Sequence, residues 1–424
     1  MHERDVIVTG LGAVSPMGLG VPSLWSSLVE GRRVTRILND LPLAADQSRL
    51  AAAVPVEVAQ LAATHHADHD PAVAYALMAA QEALSQARIG VGKLRPTTLG
   101  IVIGTAVGGV ISMEREFRRA WRQSRDAVTC SRDLLLGPVS PMLYRQFNAF
   151  SVSQILAETL DTHGFVSTMA TGCTAGLDAI GLAIDLISCG ECEVVISGAT
   201  EAPLTPIVIT AFDNIGALSR RNDDPLVASR PFSKGRDGFV IGEGAGVLVL
   251  ESRRHAKARG ARGLAELTGF SSRSNAFHMT SLHPAGEDLA WCMTDAMRRA
   301  GLDASSIGYI NAHGTSTPQN DVAETNAIKS ALGDRATSVP VSSSKSMLGH
   351  ALGAASALAV CATIQTLNTN TIHPTANLDV DPLCDLDHVF SARQPKSPVV
   401  HAICNASGFS GIHSSLILSR VRQG

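Results

Sequence analysis

The sequence contains few aromatic residues: Phe, Trp and Tyr make up 4% of its 424 residues, whereas 45% are hydrophobic. The core must therefore be built mainly from Ala, Val, Ile and Leu. Together with 37 glycines, this composition favours closely packed α/β structure over a β-sandwich. The length corresponds to two or three domains of about 150 residues each, or to one large duplicated fold.

The chain also lacks an excess of positive charge and a long apolar run. Its formal net charge is −3 and its pI is near 6.5, so we expect no nucleic acid partner. No apolar stretch approaches the roughly 18 residues needed to cross a bilayer, and the first residues carry no apolar signal-peptide region. We therefore expect a soluble, cytoplasmic protein that is not associated with membranes.

Neither a disulfide framework nor a metal-binding motif is evident. The eight cysteines, at positions 130, 173, 189, 192, 292, 361, 384 and 404, lie mostly in apolar segments, and we expect reduced thiols. Cys189 and Cys192 have the spacing of a redox motif or half a zinc site, but no second pair exists. Residues 64–70 include three histidines crowded into one polar stretch, which favours a solvated loop. We expect no bound metal.

Apolar patterning predicts alternating strands and helices in two similar halves. The basic segment 252–262 is the best candidate boundary, which gives an N-terminal half at 1–252 and a C-terminal half at 263–424. Gly10 and Gly12 follow the first strand, but the third glycine of a dinucleotide-binding motif is missing, so a tight turn is predicted there. Strands are predicted at 6–9, 99–104, 164–169, 193–198, 245–251, 265–269, 307–311, 338–342 and 414–419. Helices are predicted at 72–87, 174–188, 289–300, 322–332 and from about 352.

Cys173 is a candidate nucleophile. It lies between the end of a predicted strand and the first turn of a predicted buried helix, among small residues. The partial positive charge and free N–H groups of a helix N-terminus favour the thiolate. Its own N–H is placed to serve as an oxyanion donor. The alternative is a buried, inert cysteine.

Two histidines occupy comparable positions in the C-terminal half. His313 follows a predicted strand in a turn of Gly and Thr, and His350 follows Lys345 by five residues at a loop-to-helix junction. Sheets of α/β proteins build their sites at such strand ends. Each histidine alone is equally consistent with a hydrogen-bonded turn residue, but one cysteine with two histidines favours nucleophilic catalysis. Phe409, between glycines near the C-terminus, is consistent with an ordinary turn.

In their order and spacing these segments resemble the elongating β-ketoacyl-acyl-carrier-protein synthases of the thiolase superfamily. The resemblance covers essentially the whole chain and includes residues 8–12, 228–232 and 236–244. The order cysteine, histidine, histidine is that of the elongating enzymes, whereas starter-type enzymes have Asn in place of the second His. The resemblance implies a thiolase-like α/β fold with two similar βαβαβ-type halves in an αβαβα layered arrangement.

The resemblance also implies a two-stage acyltransferase reaction. Cys173 accepts an acyl group as a thioester from the phosphopantetheine arm of a carrier protein. Malonyl-carrier protein then loses CO2, and its enolate attacks that thioester with His313 and His350 as hydrogen-bond donors, worth about 3 kcal/mol each. The N–H groups of Cys173 and Phe409 form the second oxyanion hole, and the Phe409 side chain acts as a gate.

Five further residues receive roles from the same resemblance. Lys345 matches a catalytic lysine, whose ammonium pairs with Glu324 and organises the histidines, and Asp321 belongs to that network. Thr315 and Thr317 match residues that bind the pantetheine amides. No cofactor is expected to be permanently bound, because the phosphopantetheine arm arrives with the carrier protein as part of the substrate.

Within the family, residues 171–178, 221–225, 319–321 and 374–378 resemble the ketosynthase subunit of bacterial type II polyketide synthases, whereas residues 313–318 resemble the fatty-acid enzyme. We therefore expect decarboxylative Claisen condensation in type II polyketide elongation, with a polyene chain as one product class. The alternatives are a β-ketoacyl synthase of fatty-acid biosynthesis and, from another class, a non-catalytic subunit that binds the carrier protein.

The expected partners are an acyl carrier protein and a second subunit, either a copy of this chain or a chain-length-factor-like protein. The C-terminal tail departs from the family pattern. Ser407 stands where fatty-acid enzymes have Phe, Ser410 replaces Gly, and His413 falls where Asn or Gln is usual. These changes affect the expected gate and pocket shape, and the starter unit and chain length stay open.

Overall fold

The computed structural model describes residues 3–90, 92, 96–126, 139–409 and 411–421. Its strands are β1 Val6–Ser15, β2 Gly18–Leu19, β3 Arg36–Ile37, β4 Leu50–Ala52, β5 Leu99–Gly104, β6 Val166–Met169, β7 Val194–Glu201, β8 Ile241–Gly242, β9 Gly244–Ser252, β10 Ala265–Ser274, β11 Ile307–Asn311, β12 Pro340–Ser342, β13 Asp387–His388, β14 His401–Ser407 and β15 Ile412–Ser419. Its α-helices are α1 Val21–Val29, α2 Val56–His65, α3 Pro71–Ala87, α4 Val110–Asp126, α5 Leu143–Phe147, α6 Ser151–Thr159, α7 Ala175–Cys189, α8 Pro206–Asn214, α9 Arg253–Ala258, α10 Glu287–Arg299, α11 Pro318–Leu332, α12 Lys345–Leu348 and α13 Gly353–Thr369.

The sheet shows two halves with the same strand pattern. Strands β6, β5 and β7 are parallel, β9 is antiparallel to β7, and β1 is antiparallel to β9. In the second half β12, β11 and β14 are parallel, β15 is antiparallel to β14, and β10 is antiparallel to β15. The halves meet where β1 pairs with β10. The predicted pair of similar α/β halves is therefore confirmed.

The helices complete a layered arrangement. Helices α7 and α13 pack on each other and contact strands of both halves, so they form the central layer. Helix α3 covers β1 and β9 on one outer face, and α10 and α11 cover the C-terminal half on the other. This is the predicted αβαβα order. The stretch Gly172–Cys189 is long and apolar enough to cross a membrane, but it is mostly buried as the core helix between the two halves.

The tight turn predicted at Gly10 and Gly12 is wrong, because β1 continues through both residues to Ser15. A Cβ atom on Gly10 would lie 2.0 Å from the carbonyl oxygen of Ala83, and one on Gly12 would lie 1.8 Å from that of Ala79. The glycines therefore allow β1 to lie directly against α3. Their purpose is close packing of a strand on a helix, not chain reversal.

Other predictions agree with the structure at several elements. The predicted strands 99–104 and 307–311 coincide with β5 and β11, and α7 ends at Gly190 in the left-handed conformation. Segment 252–262 contains α9, which begins at the capping residue Ser252. The histidine-rich stretch begins on α2, which ends at His65.

The described part of the chain has no group of three His, Cys, Asp or Glu side chains arranged to hold a metal. Its seven cysteines are free thiols. Cys130 lies outside the described residues.

Candidate active site

One cavity of about 190 Å³ brings together most of the residues predicted for the site. Its walls include Cys173, His313, Thr315, Thr317, His350 and Phe409. Lys345, Glu324 and Asp321 are buried and bond to the loop that carries His313. The first half of the fold supplies the cysteine, and the second half supplies the histidines, the lysine and the acids.

Cys173 lies half-buried in a short 3-10 turn, Gly172–Thr174, directly before α7. The turn is left-handed at Gly172, with φ of +65°. The backbone N–H groups of Cys173 and Phe409 both act on the thiol and favour its ionised form, as does the positive charge of Lys345. Both N–H groups predicted for an oxyanion hole therefore lie at the cysteine.

The predicted effect of the N–H groups on the thiolate is present, but burial acts against it. Burial outweighs the effects of Lys345 and the two N–H groups and raises the pKa of Cys173 to about 11. The free-energy cost of removing the thiolate from water is larger here than the stabilisation by the nearby donors. The thiol is therefore protonated at neutral pH, and its proton must leave as the sulfur attacks.

His313 and His350 face each other across the cavity as neutral imidazoles. Their ring centroids are 5.4 Å apart and the rings are nearly perpendicular, at 84°. Burial and the charge of Lys345 hold the pKa of both rings well below the ordinary value. Both Nδ1 atoms are buried and have no hydrogen-bond partner among the described residues. Neutral rings supply N–H donors to a developing oxyanion without carrying a charge of their own.

The backbone of each histidine is fixed by short hydrogen bonds. The His350 N–H donates to the carbonyl oxygen of Val240 at 2.7 Å, and its carbonyl accepts from Gly242 at 2.9 Å. The His350 ring also packs edge-on against Phe239, with centroids 5.1 Å apart. His350 is therefore held through both its backbone and its ring, just before α13 begins.

The charges of Lys345 and Glu324 attract each other, as the predicted pairing requires, but each group makes its hydrogen bonds to the backbone. Glu324 accepts the N–H groups of His313 and Gly314 at 2.8 and 2.7 Å, while the Lys345 ammonium donates to the carbonyl of His313 at 2.6 Å. The two charges thus hold opposite ends of one residue's backbone. A carboxylate with two N–H donors and an ammonium with a carbonyl are each hydrogen-bonded, as buried charges require.

Asp321 holds the next part of the same loop. It accepts the N–H groups of Thr315 at 3.0 Å, Ser316 at 3.2 Å and Phe232 at 2.8 Å, and Arg236 lies 3.7 Å away. Ser316 has a φ of +72°, which is unfavourable for a side chain with a Cβ atom. Asp321 therefore stabilises a strained turn, and its predicted membership of the network is consistent with these contacts.

Thr315 and Thr317 lie together on the cavity wall. Their hydroxyl oxygens are 2.9 Å apart, and Thr317 also caps the N-terminus of α11. Thr280, Gln319 and Asn320 continue the wall. These hydroxyl and amide groups give this side of the cavity the polar character that an amide-containing ligand requires.

Phe409 lies in the turn between β14 and β15, beside Cys173. Its ring packs near Phe212 and Phe239, with centroids 6.3 and 6.4 Å away. Phe239 and Phe409 line the cavity, and Phe212 packs against both of them. Ser410, the next residue and one of the noted departures from the family, lies outside the described residues.

Glu201 was not predicted from the sequence. It is buried at the end of β7 and accepts hydrogen bonds from the Thr105 hydroxyl at 2.8 Å and from three backbone N–H groups. The N–H donors are Ala106 at 2.6 Å, Val107 at 3.1 Å and Gly353 at 2.9 Å. Burial outweighs these donors and raises the pKa of Glu201 to about 7. An acid ending an otherwise apolar strand was the signal that could have revealed it.

The arrangement suits acyl transfer through a cysteine thioester. A nucleophilic sulfur lies beside two backbone N–H donors, and two neutral imidazoles line the same cavity. Two family models match the chain: "Beta-ketoacyl synthase, N-terminal domain" over residues 3–256 and "Beta-ketoacyl synthase, C-terminal domain" over residues 264–379. The chain belongs to the β-ketoacyl synthase family. This synthase is therefore an acyltransferase of the ketosynthase type.

Similar proteins include polyketide synthase subunits and 3-oxoacyl-[acyl-carrier-protein] synthases. The synthase is 40% identical to the tetracenomycin polyketide synthase ketoacyl synthase alpha subunit of Streptomyces glaucescens, over 99% of this chain and 98% of that protein. It is 37% identical to 3-oxoacyl-[acyl-carrier-protein] synthase 2 of Synechocystis sp., over 99% of both chains.

Solved structures show the same fold over the whole chain. A ketosynthase bound to a hexaketide, in complex with its type II polyketide acyl-carrier protein, has a TM-score of 0.90 and 37% identity, covering 99% of this chain and 100% of that one. The ishigamide ketosynthase/chain length factor has a TM-score of 0.88 and 31% identity, with the same coverage.

Proposed function

We propose that this synthase elongates a type II polyketide chain by decarboxylative Claisen condensation. The observation that carries the proposal is the placement of Cys173 with His313 and His350 around one cavity. Similarity to ketoacyl synthase alpha subunits over nearly the whole chain supports the polyketide pathway. The reaction has an acylation stage and a condensation stage, both catalysed at Cys173.

In the acylation stage the sulfur of Cys173 attacks the carbonyl carbon of an acyl thioester on a carrier protein. The N–H groups of Cys173 and Phe409 stabilise the oxyanion that forms. The carbon–sulfur bond to the carrier then breaks, and the departing thiolate receives the proton that Cys173 loses. The products are an acyl-enzyme and a free carrier thiol, so atoms and charge balance.

In the condensation stage a malonyl thioester occupies the other side of the cavity. Its carbon–carboxylate bond breaks and releases CO2, and the electron pair remains as an enolate whose oxygen accepts N–H bonds from His313 and His350. The enolate carbon attacks the acyl carbon on Cys173, a carbon–carbon bond forms, and the carbon–sulfur bond breaks. The Cys173 thiolate then takes one proton from solvent, which restores the protonated resting thiol.

The supporting residues have separate tasks in this proposal. Glu324 and Lys345 fix the His313 backbone from its two ends. Thr315 and Thr317 bind the amides of the phosphopantetheine arm, because their hydroxyls line the cavity at a polar wall. The arm enters with an acyl carrier protein as substrate carrier, a partner seen in the solved relative described above.

We also propose that the synthase works as a dimer in the cytoplasm. Strand β6 is the edge of the N-terminal half, and Phe165 and Val166 at its start are exposed. An exposed edge strand offers unpaired backbone groups to a second chain. Exposed aromatic residues on nearby helices, Phe117, Trp121 and Tyr144, extend the apolar surface. The partner is a chain-length-factor-like subunit or a second copy.

We propose that the two halves of the fold carry different residues of the site. Residues 1–252 form the unit that carries the nucleophile, and residues 263–424 form the unit that carries the two histidines and Lys345. The paired pattern of β1–β9 and β10–β15 supports this division. A fatty-acid role is the second candidate, favoured by 37% identity to 3-oxoacyl-[acyl-carrier-protein] synthase 2 proteins.

Reconstitution tests the proposal. Purified synthase is mixed with acyl- and malonyl-loaded carrier protein, with and without the chain-length-factor-like subunit, and products are identified by mass spectrometry. We expect chains that grow by repeated two-carbon additions in wild type and in Cys189→Ala, an exposed cysteine control, but none in Cys173→Ala. Chain growth in Cys173→Ala would overturn the proposal. Extension of fully reduced acyl chains alone would favour the fatty-acid role.

A further inference from the structure

The turn that carries Phe409 closes a β-hairpin next to Cys173. Strands β14 and β15 form this hairpin, and Ser407 opposite His413 is its last paired position. The Gly408 N–H donates to the carbonyl of Ile412 at 2.8 Å just beyond that pair. The position of the Phe409 N–H therefore depends on how firmly the Ser407–His413 end of the hairpin is held.

Buried side chains join that end of the hairpin to a third strand. The Ser407 hydroxyl lies 2.9 Å from Nδ1 of His413, and Nε2 of His413 lies 3.2 Å from Nδ2 of Asn275 at the end of β10. Ser407 and His413 are 4% and 5% exposed, so water does not compete freely for these bonds. Asn275, His413 and Ser407 form a hydrogen-bonded relay across three strands.

One hydrogen bond from a backbone N–H determines which atoms of the relay donate and which accept. The Phe277 N–H donates to Oδ1 of Asn275 at 3.0 Å, which fixes the orientation of the Asn275 amide. Its Nδ2 therefore donates to Nε2 of His413, and Nδ1 of His413 carries the hydrogen and donates to Ser407. Burial also lowers the pKa of His413, in agreement with a neutral ring.

Asn275 holds the other end of the turn as well. Its backbone N–H donates to the carbonyl of Gly411 at 2.9 Å. Gly411 has a φ of +73°, and a Cβ atom there would lie 2.0 Å from Oδ1 of Asn275. The relay thus contacts the hairpin on both sides of Phe409, and Ser407 also lines the cavity that contains Cys173.

We propose that Ser407, His413 and Asn275 are positioning residues that hold the Phe409 N–H in line with the substrate carbonyl at Cys173. They act through the turn and do not touch the reacting atoms. The proposal rests on the proposed function, because it concerns the acylation stage. It predicts that breaking the relay weakens oxyanion stabilisation without changing access to the thiol.

Two rates on the same thiol separate these effects. Acylation of Cys173 by a hexanoyl-pantetheine thioester passes through an oxyanion, whereas alkylation by iodoacetamide does not. Both are followed by intact-protein mass spectrometry on the full-length synthase, together with its partner subunit where reconstitution requires one. A general loss of folding or access, or of thiolate, lowers both rates by the same factor. Displacement of the Phe409 N–H also removes oxyanion stabilisation, so it lowers acylation more than alkylation.

The variants are matched in shape. Ser407→Ala and His413→Phe remove the hydrogen bond between the strands, whereas Ser407→Thr keeps the hydroxyl and His413→Asn keeps a polar group near the Nδ1 position. We expect acylation to fall about tenfold in the first pair, less than the 100-fold or more for removing an oxyanion donor outright. Alkylation should fall by a smaller factor than acylation, because it loses only the effect of the N–H on the thiolate, and the second pair should recover most of the acylation rate.

The proposal is overturned if acylation in Ser407→Ala and His413→Phe matches wild type, or if acylation and alkylation fall by the same factor. It is also overturned if Ser407→Thr and His413→Asn fail to recover acylation. Failure of the proposed function has a different signature. In that case the wild-type thiol reacts with iodoacetamide but accepts no acyl group from the thioester, and the relay proposal fails with it.

Discussion

The His313 loop and the Phe409 turn line one cavity, but they are held by different kinds of bond. Buried charges hold the His313 loop, through Glu324 and Lys345. Neutral side chains hold the Phe409 turn, through Ser407 and its partners. Hydrogen bonds to charged groups contribute about 1.5–3 kcal/mol, and neutral ones about 1 kcal/mol. The His313 loop is therefore held more rigidly, and the turn beside the acyl group is easier to displace.

Removing the His313 imidazole should give the largest effect on activity. In His313→Ala we expect CO2 release from malonyl-carrier protein to fall on the order of 1,000-fold, because one enolate donor is lost. Acylation of Cys173, which uses the other donors, should fall far less. The measurement is bicarbonate formation under single-turnover conditions, with His163→Ala, a substitution of an exposed histidine, as control. Unchanged CO2 release would remove His313 from its proposed role.

Substitution of Glu324, which supports the His313 loop, should give the second-largest effect. In Glu324→Gln one acceptor oxygen becomes an NH2 group that faces the N–H of His313 or Gly314, so one of these donors loses its partner. We expect condensation to fall about 100-fold and the free energy of unfolding to fall by about 1–3 kcal/mol. Steady-state kinetics and urea unfolding measure the two effects, with Glu57→Gln on exposed α2 as control. A variant with normal condensation would show that the support is dispensable.

Disturbing the neutral turn should cost less. Gly411→Ala places a Cβ atom against Asn275 and strains a backbone with φ of +73°. We expect Cys173 acylation to fall about tenfold. Gly301→Ala is the matched control, because Gly301 has a similar φ of +67° but open space around it. Equal losses in the two variants would mean that backbone strain alone, not the turn beside Cys173, sets the effect.

Substitution of the buried acids Glu201 and Glu243 should give the smallest change in activity. Burial raises the pKa of Glu201 and of Glu243 to about 7, from 4.5. The folded state therefore binds their protons more tightly than the unfolded state. The contribution of these two groups to the free energy of unfolding is therefore greatest below pH 4.5 and falls as pH rises to about 7, by up to about 3 kcal/mol for each group.

Substitution of either acid should make that decline shallower. Only Glu201→Gln should also lower acyl transfer, by a few-fold, because Glu201 holds Ala106 and Val107. These two residues pack in the same apolar cluster as Phe239 and Phe409. Glu243 accepts the N–H of Val54 instead. Urea unfolding between pH 4.5 and 8, together with acylation rates, checks both statements. An equal loss of acyl transfer in Glu243→Gln would contradict the distinction.

The resemblance to the elongating synthases predicted the layered fold, and the position of Cys173, His313 and His350 at predicted strand ends favoured one catalytic site. The sequence could not predict what each charge contacts. The Lys345 ammonium reaches a carbonyl of His313, not Glu324, and backbone orientation of this kind leaves no pattern in the side chains. Gly10 is a similar case: a close strand–helix contact and a turn both call for glycine, and only packing distinguishes them.

The central claim is that Cys173 carries the growing chain. The direct measurement is peptide mapping by mass spectrometry after the synthase is incubated with acyl-loaded carrier protein. We expect the peptide containing Cys173 to gain the mass of the acyl group. This gain should be absent in Cys173→Ala and should disappear when malonyl-carrier protein is added. Acyl mass on another residue, or an acyl-Cys173 that malonyl-carrier protein does not consume, would contradict it.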